Sequence, residues 1–73
     1  MSEVKVVSEI AGSVWKIVTS PGDTVEEEQP LLILESMKME IPVLAPERGV
    51  VREIRVAEGS AVAEGELVAI LDT

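Results

Sequence analysis

The chain has 73 residues, no cysteine and no histidine, and its 14 acidic and 6 basic side chains give a formal net charge of -8. A chain of this length forms one small domain and has no room for a deep active site. The missing residue types exclude disulfides, thiolate or imidazole metal sites, cysteine nucleophiles and histidine bases, and the acidic charge disfavours nucleic acids and anionic membranes.

The N-terminus does not have the pattern of a signal peptide, because Glu3 and Lys5 interrupt its apolar residues. The longest apolar run, residues 67–71, is much shorter than a membrane span. We therefore expect a cytoplasmic protein that binds no membrane, no nucleic acid and no metal.

Short runs of Val, Ile and Leu separated by turn residues predict an all-β domain. Turns such as Pro21-Gly22-Asp23, and the other glycines and prolines, interrupt every window long enough for a helix. Pro30 fits the first residue of a strand. Pro42 requires an edge strand or a position whose N–H is not needed for the ladder, because proline has no N–H. Strands are predicted near residues 3–8, 11–19, 24–25, 30–36, 39–44, 48–56, 61–62 and 66–72.

An internal repeat relates the two halves of the chain. Residues 12–27 align with residues 49–64 at a constant shift of 37. The apolar run at residues 31–34 matches residues 67–70 at a shift of 36. The second copy is therefore expected to be one residue shorter in the intervening turn.

One copy of the repeat would leave an apolar sheet face in water, so the copies are expected to close on each other. The copies cover about residues 10–34 and 47–71, within a single domain over residues 1–73. This arrangement predicts a flattened β-barrel with pseudo-twofold symmetry. The hairpin that carries Lys38 lies between the two copies.

Each half contains two apolar residues of opposite strand parity, Val14 with Ile17 and Val51 with Ile54. A β-bulge between the members of each pair would turn both of them toward the core. Trp15, the only aromatic residue, would then face solvent or a partner. The alternative is that Trp15 closes one end of the barrel, as aromatic residues do in small cores.

The segment Glu-Ser-Met-Lys-Met-Glu, residues 35–40, lies where two apolar runs meet at a predicted turn. A lysine in a turn is ordinarily a solvated charge, but Met37 and Met39 alternate in the same sense and would project from the tip. Exposed methionines form an adaptable apolar surface for a partner. We predict that Lys38 is the attachment point of a covalent cofactor. Because lysine is almost fully protonated at neutral pH, the modifying enzyme must supply the base.

Other candidate sites are weaker. The acidic run at residues 26–28 does not have the ligand spacing of a calcium loop, and its charge predicts a solvated turn. Ser36 beside Lys38 has neither the pocket nor the oxyanion hole that a nucleophile needs. Glu35 and Glu40 flank the site, and one interpretation is that their charge shapes recognition. The favoured interpretation is that they are simply the solvent-facing ends of two strands.

The segment Glu-Ser-Met-Lys-Met-Glu-Ile-Pro resembles the biotinylation motif of biotin carboxyl carrier domains, in which Met-Lys-Met surrounds the modified lysine. The chain is most similar to the small free-standing biotin/lipoyl attachment proteins. This resemblance implies a barrel-sandwich hybrid fold of two four-stranded antiparallel sheets, with Lys38 on the exposed hairpin. It extends over nearly the whole chain, through Gly12-Ser13-Val14, Pro21-Gly22-Asp23-Thr24-Val25, Ala45-Pro46, Gly49-Val50-Val51 and Glu58-Gly59.

The resemblance also implies a function. A biotin protein ligase would use ATP to join biotin to the Lys38 amine. A biotin carboxylase would load a carboxyl group onto the ring, and a carboxyltransferase would unload it to an acceptor such as acetyl-CoA. The chain would be a non-catalytic carrier subunit of a carboxylase system such as acetyl-CoA carboxylase. The ligase would recognise the flank formed by Glu35, Ser36, Met37, Met39 and Glu40.

Two alternatives stay open. In the first, Lys38 carries lipoate, because the same fold serves as a lipoyl carrier, and modification by both biotin and lipoate is included in this alternative. Lipoyl domains usually have Asp-Lys-Ala where this chain has Met-Lys-Met, which argues against it. An unmodified β-module would instead use Met37, Met39 and Trp15 as a contact patch for another protein.

The chain departs from the family pattern at two places. Glu28 lies where family members usually have glycine, as the second half does at Gly65, so this turn is expected to be altered or weaker. The short loop at residues 19–24 leaves no room for the protruding thumb insertion of some acetyl-CoA carboxylase carriers. A role for the protein in holding the biotin ring is therefore not implied.

Overall fold

The computed structural model describes residues 2–73, which form eight β-strands. The strand ends differ from the predicted ones by no more than two residues. No helix long and apolar enough to cross a membrane occurs in these residues. The strands are β1 (Glu3–Val7), β2 (Gly12–Ile17), β3 (Thr24–Val25), β4 (Pro30–Ser36), β5 (Met39–Leu44), β6 (Gly49–Ile54), β7 (Ala61–Val62) and β8 (Leu67–Asp72).

The strands form two four-stranded antiparallel sheets, as predicted. One sheet has the order β1-β8-β6-β3 and the other has the order β5-β4-β2-β7. Pro30 is the first residue of β4, and Pro42 lies on β5, which is an edge strand. Both prolines therefore occupy positions where a missing N–H does not interrupt the ladder of a central strand.

The core between the two sheets consists of aliphatic side chains. Val and Leu suit this small space because β-branched and aliphatic residues pack well on pleated surfaces. Leu31 and Leu32 are consecutive but both fully buried, because the pairing of β4 with β5 shifts register between Pro30 and Leu32. The buried cluster comprises Val6, Val14, Val25, Leu31, Leu32, Leu34, Ala45, Val51, Val62, Val68, Ala69 and Leu71.

The predicted β-bulges are present in both halves. The register of β2 against β4 shifts after Val14, and the register of β6 against β8 shifts after Val51. Both valines are buried, and Ile17 and Ile54 pack against the same core. The bulges therefore turn residues of opposite parity inward, and the two sheets are related by a pseudo-twofold axis.

The turns before β4 and β8 have the same length, which corrects the predicted shift of 36. The Glu26 backbone N–H donates to Gln29 Oε1 at 3.0 Å, and the Ala63 backbone N–H donates to Glu66 Oε1 at 2.9 Å. Ala63 follows Glu26 by 37 residues, and Glu66 follows Gln29 by the same number. The prediction that the second turn is one residue shorter is therefore wrong, and the shift of 37 continues through these strands.

Glu28 has the backbone conformation of the glycine that it replaces. Its φ is 68°, and Gly65 at the equivalent position has a φ of 83°. The Glu28 N–H donates to the Ala45 carbonyl at 2.8 Å, just as the Gly65 N–H donates to the Ser8 carbonyl at 2.7 Å. The turn is therefore not altered in geometry, but a residue with a Cβ is held in the left-handed region, where it is strained.

Replacing Glu28 with glycine is expected to raise the free energy of unfolding by about 0.5–1 kcal/mol, because glycine adopts this φ without a steric cost. Urea denaturation followed by circular dichroism measures the change. The matched control is Gly65→Ala, which should lower stability by a similar amount because a Cβ there meets no atom within 4 Å and acts only through the backbone. A Glu28→Gly variant less stable than wild type would contradict this explanation.

Candidate functional site

A two-residue turn, Met37-Lys38, connects β4 to β5. Ser36 and Met39 pair across its base. Met37 has a φ of 52° and Lys38 has a φ of 64°, as the central residues of a type I′ turn do. This turn matches the right-handed twist of the flanking strands, so it fixes Lys38 at the apex of a hairpin.

The three residues at the apex are exposed. Met37 is 92% exposed and Met39 is 63% exposed, although both side chains are apolar. Lys38 is exposed between them, and its amine makes no ion pair with any residue from 2 to 73. The amine is therefore accessible to another protein, and it is flanked by apolar surface that such a protein can contact.

The base of the hairpin is tied to the core. Leu34 is fully buried four residues before Lys38. Gly12 on β2 packs so closely against the end of β4 that a Cβ at this position would lie 2.7 Å from the Glu35 carbonyl oxygen. Only glycine allows this approach of the two strands. The turn thus extends from a packed sheet and not from a flexible loop.

The turn stores backbone strain, because neither Met37 nor Lys38 is the glycine, asparagine or aspartate that type I′ turns prefer. A Met37→Asn variant is expected to raise the free energy of unfolding by about 0.5–1 kcal/mol, since asparagine tolerates a positive φ. Thermal unfolding followed by circular dichroism measures the gain. Met39→Asn is the control, because Met39 is exposed but lies outside the positive-φ pair. An equal gain in the control would show that removing an exposed methionine is the cause.

The other residues of the predicted recognition flank lie beside the turn. Glu35 and Glu40 are directly opposite each other on β4 and β5, and both are exposed. Within the described part of the chain neither carboxylate forms an ion pair. Ser36 is half-buried at the end of β4. All the residues that were predicted around Lys38 are therefore together at one end of this hairpin.

Sequence reasoning missed a row of one lysine and two apolar residues on the outer face of the same sheet. Lys16 pairs with Ile33 and Ile33 pairs with Pro42, so these residues form one row across three strands. Trp15 lies in the bulge beside Lys16 and is 48% exposed, so it lies outside the buried core, as the predicted bulge requires. The signal in the sequence was the bulge itself, which places two consecutive residues on one face.

The acidic run at residues 26–28 forms an exposed turn. Glu26 lies 3.3 Å from Arg48, and both side chains are largely exposed. Across residues 2–73 no three acidic side chains come together in a way that could hold a metal ion. Exposed ion pairs of this kind add little to stability.

The chain is similar to known proteins over nearly its whole length. Residues 3–71 match the model of a protein family described as "Biotin-requiring enzyme". The biotin/lipoyl attachment protein of Bacillus subtilis (strain 168) is 45% identical over 60 residues, which are 82% of each chain. The biotinylated protein TB7.3 homolog of Mycobacterium leprae is 44% identical over 64 residues, which are 88% of this chain and 90% of that one.

A crystal structure has the same fold. The urea carboxylase of Kluyveromyces lactis matches 99% of this chain with a TM-score of 0.93 and 36% identity. The matched region is only 6% of that much longer chain. The chain is therefore similar to two proteins of nearly its own length and to one small part of a much larger protein.

Proposed function

The chain belongs to the biotin/lipoyl attachment family, and we propose that it is a biotin carboxyl carrier with biotin joined covalently to Lys38. One observation carries this proposal. The Met37-Lys38 turn places the Lys38 amine at an exposed, rigid apex between exposed Met37 and Met39, and no other lysine within residues 2–73 has this arrangement. A ligase can reach such an amine without unfolding any part of the sheet.

The chemistry of Lys38 fits biotin. The side chain of biotin ends in a carboxylate, and an amine attacks it once it has been activated by a biotin protein ligase with ATP. The product is an amide, so the positive charge of the lysine is lost. Lys38 has no ion pair with another described residue that would have to be broken. The ligase supplies the base, and Met37 and Met39 supply its apolar contact.

The role of this chain is presentation and not catalysis. When bound, biotin supplies a ring nitrogen that accepts and donates a carboxyl group. The turn holds the attachment point outward, so a biotin carboxylase and a carboxyltransferase can reach it in sequence, the acceptor being a molecule such as acetyl-CoA. Tethering raises the concentration of the cofactor at each active site to the millimolar range or above. The similarity to part of a urea carboxylase supports this carrier role.

Intact mass spectrometry of the protein from its native host, followed by peptide mapping, tests the proposal. The expected result is one biotinyl group on the peptide that contains Lys38, together with capture of the intact protein by streptavidin. A bare Lys38 amine, in cells supplied with both biotin and lipoate, would contradict it. That outcome would instead favour an unmodified module that contacts proteins through Met37, Met39 and Trp15.

Lipoate on Lys38 is the second candidate. The observation that favours it is the similarity to the Bacillus subtilis relative, which is named a biotin/lipoyl attachment protein. The exposed Met37 and Met39 favour biotin, because lipoyl domains usually have Asp-Lys-Ala at this position. The same mass spectrum distinguishes the two cofactors, and a mixture of both masses would show dual modification.

A further inference from the structure

The second half of the chain contains a three-residue ion cluster on the outer face of its sheet. Arg52 lies in the bulge of β6, and its Nη1 is 2.6 Å from Glu3 Oε2 while its Nη2 is 2.9 Å from Asp72 Oδ1. Glu3 and Asp72 are directly opposite each other on β1 and β8. The Asp72 carboxylate, through its hydrogen bond and its charge, raises the pKa of Arg52. One guanidinium thus bridges a cross-strand pair of carboxylates.

The first half has the same two carboxylates without the arginine. Glu35 and Glu40 are directly opposite each other on β4 and β5, and they are the counterparts of Asp72 and Glu3 under the shift of 37. The residue at the position of Arg52 is Trp15, in the bulge of β2. The pseudo-twofold axis therefore places an exposed indole where the second half has a guanidinium.

This face has no occupant within the described chain. Neither Glu35 nor Glu40 forms an ion pair with residues 2–73, and both are exposed. Trp15 is 48% exposed, and Ile33 and Pro42 extend the apolar surface across the next two strands, with exposed Lys16 at the β2 end of the same row. An aromatic face beside two carboxylates matches the flat apolar plane and the forked donors of an arginine.

We propose that this outer face, named the tryptophan face and formed by Trp15, Ile33, Glu35, Glu40 and Pro42, docks an arginine-bearing surface of the biotin carboxylase. The partner's guanidinium lies between Glu35 and Glu40, where Arg52 lies in the other half, and stacks on Trp15. Arginine and tryptophan are the side chains that most often dominate interface energies. A net charge of -8 favours a basic partner surface. The inference rests on the proposed carrier function.

Glu35 and Glu40 also belong to the flank that the ligase is expected to recognise, but charge chemistry favours the carboxylase as the partner that binds this face in the loaded carrier. Acylation converts the Lys38 ammonium to a neutral amide, so the hairpin loses one positive charge beside Glu35 and Glu40. The attraction of these carboxylates for a cation is therefore strongest in the loaded carrier. The ligase binds the unloaded form and must release the loaded one, whereas the carboxylase acts on the loaded form.

The test uses the full-length carrier and the biotin carboxylase of the same host, with ATP hydrolysis dependent on bicarbonate as the readout. Intact mass spectrometry first shows that wild type and every variant are completely biotinylated. Glu35→Gln/Glu40→Gln and Trp15→Arg are expected to raise KM for the carrier by about tenfold or more, with kcat unchanged. Arginine at position 15 is expected to pair with Glu35 and Glu40, as Arg52 pairs with Glu3 and Asp72, and so to block the face without disturbing the fold. Free biotin, as the alternative substrate, should react equally in every assay.

The matched control is Glu3→Gln/Asp72→Asn, which removes the corresponding carboxylates from the other half and should leave KM within about twofold of wild type. Thermal unfolding confirms that each variant is folded at the assay temperature. An unchanged KM in both tryptophan-face variants would overturn the inference. So would an increase confined to the KM of the ligase or of the carboxyltransferase, or a self-association of the wild-type carrier that Trp15→Arg abolishes. If the wild-type carrier takes up no biotin, the proposed function fails; if it is biotinylated and KM does not respond, only this inference fails.

Discussion

A Lys38→Arg variant is expected to fold normally and to carry no biotin. Arginine keeps the charge and the approximate length of the side chain, and it has no more difficulty than lysine in adopting the positive φ of 64°. Its guanidinium is always protonated and does not attack an activated carboxylate. The loss of labelling is therefore chemical and not structural.

Intact mass spectrometry after incubation with biotin, ATP and a biotin protein ligase measures this loss, and streptavidin capture gives an independent readout. Lys16→Arg is the matched control, because Lys16 is also an exposed lysine on a strand of the same sheet. The control should be labelled to the same extent as wild type. Labelling of the Lys38→Arg variant would show that the attachment point is another residue. Thermal unfolding temperatures of the two variants should agree closely with that of wild type.

The strand pattern could be predicted from sequence because proline, glycine and β-branched residues act locally. The predicted and observed strand bounds differ most at the ends of β2 and β6. There the apolar residues continue through Val18 and Val56 although the strands end earlier. The Val18 N–H still donates to the Leu31 carbonyl, at 3.2 Å, so the chain diverges gradually. A hydrophobic pattern therefore places a strand well but does not determine its last paired residue.

The shift of 36 is an error of a different kind. The runs at residues 31–34 and 67–70 are both continuously apolar, so sliding one against the other by one residue costs nothing in similarity. In the structure Val14 pairs with Leu34 as Val51 pairs with Leu71, and Gln29 and Glu66 make matching hydrogen bonds across their turns, so the shift is 37. These bonds depend on turn geometry, which residue similarity alone does not contain.

The candidate site was predictable where its residues are neighbours in sequence, as at Met37, Lys38 and Met39. The correspondence between Trp15 and Arg52 was also visible from the repeat. The ion cluster that Arg52 makes was not visible, because Glu3 and Asp72 lie at opposite ends of the sequence and meet only when β1 pairs with β8. Contacts between distant strands require the register, which sequence alone left uncertain.

The second large effect concerns the core beneath the turn. Replacing Leu34 with alanine is expected to lower the free energy of unfolding by about 2–5 kcal/mol, because the side chain is fully buried and a small aliphatic core leaves few neighbours to fill the cavity. A domain of 73 residues has a total stability of roughly 4–11 kcal/mol at about 0.05–0.15 kcal/mol per residue. The variant should therefore lose a large fraction of its stability and unfold at a clearly lower urea concentration than wild type. Urea denaturation at low temperature measures the loss.

Leu71→Ala is the matched variant, because Leu71 is also fully buried and pairs with Val51 as Leu34 pairs with Val14. The two substitutions should cost similar free energies, since the pseudo-twofold axis gives them equivalent surroundings. Leu34 alone lies on the strand that leads into the Lys38 turn. If the turn needs a packed base to present its amine, biotinylation at a temperature where both variants are folded should be slower for Leu34→Ala than for Leu71→Ala. Equal rates would show that strand pairing alone holds the turn, and that the core contributes only to global stability.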